Sequence, residues 1–119
     1  MESILEKARE VGRLVARADE YLALKRANER LADDRETVTL LNRLSDLQDR
    51  LASTLQAGAE PGEAEQQEYE TLVSGLQARA NYQALVAAQS NFDRLMLRIN
   101  EEIARGIEAG EQSRIILPS

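Results

Sequence analysis

The stretch from Tyr82 to Gly110, YQALVAAQSNFDRLMLRINEEIARGIEAG, decides how the rest of the chain is arranged. Leu85, Ala88, Phe92, Met96, Ile99, Ile103 and Ile107 recur at close to 3.6-residue spacing, with Arg94, Arg98, Glu101, Arg105 and Glu108 mostly off that stripe. The spacing predicts one amphipathic helix, on the order of 40 Å long at about 1.5 Å per residue. A compact globule of this chain length is roughly 35 Å across. The helix outruns such a globule, so the expected fold is all-α: an elongated antiparallel bundle of four to five helices whose long C-terminal helix is partly covered by a second subunit. Leu95 and Leu97 widen the stripe. Leu85, Phe92, Leu95, Met96, Ile99, Ile103 and Ile107 are therefore the candidate interaction residues, with Phe92, Met96, Ile99 and Ile103 at the subunit contact.

Immediately before this helix, Tyr69, Leu72, Val73, Leu76 and Ala80 form the inward stripe of another, with Pro61 at its first position, Glu63 and Glu65 in its first turn and Arg79 as a closing cation. Asn81 is positioned to cap the long helix. Ala57 to Gly62 is Gly/Pro-rich with no hydrophobic residue larger than Ala, and reads as a turn between antiparallel helices. Further upstream, Asp33-Asp34-Arg35-Glu36 is a helix start, an Asp cap with Glu three residues on. The helix it opens carries Val38, Leu41, Leu44, Leu47 or Gln48, Leu51 and Leu55, and ends at Gly58. The first helix is capped by Ser3 with Glu6 completing a capping box, and its inward residues are Ile4, Ala8, Val11, Val15 and Ala18. Beyond a break near Ala18 to Glu20, where Asp19 is a candidate cap, Tyr21, Leu24, Ala27 or Asn28, and Leu31 continue on a rotated face.

Residues 1–110 are expected to form one domain, with 111–119 an apolar tail after a C-cap at Gly110. The tail's Ile115-Ile116-Leu117 either docks in a groove of this or a neighbouring subunit or is frayed.

Composition bounds the chemistry. The chain has 119 residues, no Cys, no Trp, one Phe and three Tyr, so its core is aliphatic and no disulfide or thiolate metal site can form. No signal peptide opens it and no apolar run approaches the roughly 20 residues of a membrane span; a soluble cytoplasmic protein is expected. The net charge is −6, concentrated between Glu60 and Ala78, which holds five Glu and no Lys or Arg. That balance opposes nucleic acid and anionic membranes, and the aromatic platforms used for single strands are nearly missing.

The absence of His removes Ser-His-Asp, Cys-His and His-metal arrangements. Carboxylate pairs remain at Asp33/Asp34, Asp46/Asp49 and Glu101/Glu102, but each has a structural use: capping, an i,i+4 pair of Asp46 with Arg50, and adjacent residues pointing about 100° apart on a helix. No enzyme, metal, cofactor or small-molecule substrate is expected. Arg9, Arg13 and Arg17 line one helix face with Glu6 and Glu10 as counter-charges, which reads as a solvated face. Gly106-x-x-x-Gly110 permits close helix approach, with Gly106 read as a packing accommodation.

One family carries much of this punctuation. Ala18-x-x-Tyr21-x-x-Leu24-Lys25-x-Ala27, Asp34 opening a helix, Leu41, Leu47-Gln48-x-x-Leu51, Gly58 at the turn, and the final helix from Asn81 through Ala88, Leu95, Ile99, Ile103 and Ile107 resemble the YlbF/YmcA family of small helical bacterial proteins. The resemblance implies an all-α homodimer acting as a non-enzymatic regulatory adaptor. Better-known members of that family act in a complex that adjusts the ribonuclease processing messenger RNA, with effects on competence, sporulation and biofilm formation. Some carry cysteines associated with an iron–sulfur cluster; this chain has none, so neither cluster binding nor assembly into that same complex is carried over. A structural or chaperone-like bundle holding a client helix in an apolar groove is the alternative expectation.

Overall fold

A computed structural model describes residues 2–116, with side chains over 3–111. Among the described residues the chain forms five α-helices and no strand: α1 (Glu2–Val15), α2 (Asp19–Asp33), α3 (Arg35–Gln56), α4 (Glu63–Gln77) and α5 (Ala80–Ile116). None of these helices is long and apolar enough to cross a membrane. The all-helical expectation holds, and a break does separate the first two helices, at residues 16–18 rather than near Ala18 to Glu20; several other helix ends lie one or more residues from where local signals put them.

Ser3 lies inside α1 rather than capping it. Ala18, not Asp19, is the residue before α2, and it makes no side-chain cap bond. The α3 cap is Asp34, one residue beyond the Asp33 and Glu36 register, because Asp33 stays helical as the last residue of α2. Gly62 precedes α4, so Pro61 sits outside the helix. Asn81 falls within α5, which begins at Ala80.

The turn after α3 comes from glycine chemistry. Gly58 has φ +80°, the left-handed region that a Cβ penalises. This lets its N–H reach the Leu55 carbonyl at 3.0 Å and the Ala59 N–H reach Thr54 at 3.1 Å, satisfying two carbonyls that the helix end would orphan. Gly110 does not repeat this. Gly58 is the one residue with positive φ among those described, and α5 runs on through Gly110 to Ile116. An interior glycine costs only about 1 kcal/mol relative to Ala, and the flanking Glu108, Ala109 and Glu111 keep the helix going. The helix thus crosses the boundary placed at residue 110, while the fate of Ile115-Ile116-Leu117 lies outside the described side chains.

Two helix pairs carry the packing. α2 lies on α5, burying Leu24, Ala27 and Ala88, with Leu85 and Phe92 packed against them. The Tyr21 and Phe92 rings meet at a 6.0 Å centroid distance in a tilted arrangement. α3 lies on α4, and this pair contains the buried Leu47, Leu72 and Leu76; Tyr69, expected inward, is only partly covered, at 37% exposure. Packing between the two pairs is sparse. Among the described residues α1 has no substantial packing on any other helix, and its Ile4, Leu5, Val11 and Leu14 are exposed. The reading of Ile4, Ala8 and Val11 as inward is therefore wrong for a single chain; only Val15 and Ala18, at the junction with α2, are half-buried.

The molecule measures 71 × 38 × 23 Å with a radius of gyration of 21.8 Å. A compact chain of this length would have about 13–14 Å.

Truncating the fully buried Leu47 to Ala should destabilise the protein by about 2–5 kcal/mol, the usual range for a core leucine. The same change at Leu55, 62% exposed, should cost under about 0.5 kcal/mol. Urea unfolding followed by circular dichroism measures both.

Candidate interaction surface

α5 is 37 residues long and α2 is 15. Leu85 and Phe92, two of the sequence-derived contact residues, are half-buried and spent on the α2 core. Leu95 and Ile99 are half-buried further along. With Ile103 and with Val11 of α1 they line an open groove of about 680 Å³, rimmed by Arg98, Glu101, Glu102 and Arg105. Met96, Ile103 and Ile107 are uncovered, at 37%, 56% and 66% exposure. The seven residues thus divide into an inner pair, a groove floor and an exposed distal set.

Sequence reasoning missed two parts of the apolar surface. Ile4 and Leu14 of α1, each 67% exposed, stand free where a core helix was expected. Val86 is exposed on another side of α5, beside Tyr82, Gln89, Ser90 and Asp93, where it extends the surface of Leu97, already read as widening the stripe. An amphipathic period reports that a face needs cover and is silent on what covers it.

The charged candidates are mostly solvated. Arg9, Arg13 and Arg17 are exposed, and the nearby Lys7–Glu10 pair, at 4.0 Å between exposed side chains, contributes little. Arg50 approaches Glu68 of α4 at 3.8 Å, not its expected partner Asp46. Glu102 pairs with Arg105 at 2.9 Å. Among the described residues nothing stands within 4 Å of where a Cβ would be at Gly106 or Gly110, so the packing accommodation read at Gly106 is not used among them.

One polar cluster is tightly built, where the α2–α3 and α4–α5 joints meet. Asp34 caps α3 by accepting from the Thr37 N–H at 3.2 Å on Oδ1 and from the Thr37 hydroxyl at 2.6 Å on Oδ2. The same carboxylate accepts from Arg79 Nη2 at 3.0 Å and from Asn81 Nδ2 at 3.1 Å. Arg79 also donates from Nε to Thr37 Oγ1 and from Nη1 to Glu36, each at 2.9 Å. Arg79 is therefore a bridge across 45 residues of sequence rather than a closing charge for α4, and Asn81 is a ligand of Asp34 rather than a cap.

Thr37 is fully buried, and the Asp34 side chain is 16% exposed. The Thr37 hydroxyl, then Asn81, hold the Asp34 carboxyl well below the usual carboxylate range; partial burial opposes them, and the Thr37 amide and Arg79 add to the lowering. Burial disfavours the Arg79 charge, but the bonds to Asp34 and Glu36 outweigh it and raise its pKa. Among the described residues no group of three or more acidic side chains is placed to hold a metal ion.

A family model described as control of competence regulator ComK, YlbF/YmcA, matches residues 4–108, a span that contains both the groove and the polar joint. No curated protein matches the chain. The chain belongs to the YlbF/YmcA family, whose role is regulatory.

Because the native pKa of Asp34 is depressed, its contribution to stability is complete above the ordinary carboxylate value of 3.8 and is lost as pH falls below it toward the native value. Asp34→Asn should therefore be clearly less stable than the parent at neutral pH, and the gap should narrow below 3.8. Urea midpoints of both proteins taken stepwise down the acid range check the sign.

Proposed function

We propose that this YlbF/YmcA-family protein is a non-enzymatic adaptor that works as a homodimer through protein–protein contact. The observation that carries the reading is the apolar surface left open on α1 and distal α5. Ile4, Val11, Leu14, Met96, Ile103 and Ile107, at their observed exposures, amount to on the order of 600 Å² per copy, about three-quarters of the roughly 800 Å² each partner gives a stable interface. Apolar patches of this size on a free surface mark interaction sites. A second copy has the same open flank and can supply matching helices to cover it.

Residues 1–110 act in this reading as the interaction domain, and its working place is the cytoplasm. The protein partner that the family's better-known members suggest is the ribonuclease complex that processes messenger RNA. Recruitment here runs through helix contacts and without a cluster, since no cysteine is present to hold one. The open groove between Val11 and Leu95, Ile99 and Ile103 favours a second reading, in which the bundle holds a client helix.

Light scattering should give a dimer at micromolar concentration. Replacing Ile103 and Ile107 together by Asp should yield a monomer with unchanged helical content, because neither side chain is part of the buried core of one chain. A well-folded monomeric parent would sink the dimer reading. Affinity capture from a native lysate separates the partners: ribonuclease-complex components support the adaptor, and a set of unrelated unfolded chains supports the client-holding bundle.

A further inference from the structure

The polar joint does more than cap a helix. The α2–α3 joint is the single residue Asp34, and the α4–α5 joint is Ala78 and Arg79. Both crossings lie side by side, with Arg79 Nη2 and Asp34 Oδ1 at 3.0 Å. Everything between them is the α3/α4 pair; α2 and α5 lie outside. Each pair buries its own residues, Leu47, Leu72 and Leu76 in one and Leu24, Ala27 and Ala88 in the other, and packing across the joint is sparse.

We propose that α3 and α4 form an arm that turns as one body about the paired joints, and that the cluster of Asp34, Thr37, Arg79 and Asn81 is the latch that fixes its angle.

Rotation at the joints leaves both apolar pairs intact, and hinges are commonly a few residues at element ends that absorb the dihedral change. Asp34 and Arg79 stand in the joints themselves, with Thr37 just inside α3 and Asn81 just inside α5, so a change of angle there strains the bonds that Arg79 and Asn81 donate to Asp34 and Thr37. A guanidinium fork that satisfies three acceptors at once specifies direction as well as distance. Glu36, 80% exposed, adds an outer strand to the latch that solvent screens. A partner that binds one arm angle better than another would shift the arm's population through this cluster, without touching either apolar pair.

The native chain has no cysteine, so Gln56→Cys at the end of α3 and Asn100→Cys on α5 provide two unique sites for spin labels. Labelled protein is diluted with unlabelled protein so that only distances within one chain are read. The parent should show one narrow distance distribution. Arg79→Gln should broaden or shift it while far-ultraviolet circular dichroism stays helical. Thr37→Val, which keeps the buried shape but removes the hydroxyl shared by Asp34 and Arg79, should do so to a smaller degree. If Arg79→Gln loses its helices, Thr37→Val decides alone. A distribution in the folded variants as narrow and as centred as the parent's would overturn the latch, and so would a parent that is already broad.

Discussion

A helix of 37 residues cannot hide its apolar flank behind a neighbour of 15. At about 1.5 Å per residue, α5 extends roughly 55 Å and α2 roughly 22 Å, so α2 covers a proximal portion and no more. Burial of Ala88 with Leu85 and Phe92 half-buried against it, half-burial at Leu95 and Ile99 beside the open groove, and exposure at Ile103 and Ile107 follow that mismatch along one stripe. The elongated outline follows from it, because two-helix packing has too little area to draw 119 residues into a sphere.

Thin packing also explains why a polar cluster has such structural weight here. With so few fully buried side chains, the relative placement of the two helix pairs is not dictated by apolar fit. It falls to groups whose geometry is directional. Asp34 is economical in this respect: one carboxylate ends the exposure of an α3 amide, binds a buried hydroxyl, and neutralises a guanidinium from the far side of the joint. Among the described residues no buried side-chain polar atom lacks a hydrogen-bond partner, so the cluster avoids the penalty of desolvation without a bond.

The helices themselves were legible because their signals are local. The long apolar period of α5, the break before Asp19, and Gly58 at the turn can each be read from a few adjacent residues. Cap identities were less so. Asp33 and Asp34 are equivalent capping chemistries, and what chooses Asp34 is Arg79 and Asn81, 45 and 47 residues away. Pro61 and Gly62 differ by the same single-residue ambiguity. The candidate surface was half legible for a different reason. Leu85 and Ile107 share one period, and nothing local says that α2 reaches the first and not the second. The same blindness made the free face of α1 look like core.

The glycines of distal α5 press the same point further. Ala88, Phe92, Leu95, Ile99, Ile103, Gly106 and Gly110 follow one another at three- and four-residue spacing, so the stripe that begins against α2 ends in two residues with no side chain. Among the described residues nothing lies within 4 Å of either position, and no turn there requires positive φ. Each glycine then weakens an exposed helix by roughly 1 kcal/mol relative to Ala, with no return inside the monomer. A return exists where another helix backbone lies close across the same stripe, since small residues let two helices approach until their surfaces mesh. The proposed self-association through distal α5 would account for the open isoleucines and for these glycines with one geometry, whereas a client held only in the Val11 groove would leave Gly110 unexplained.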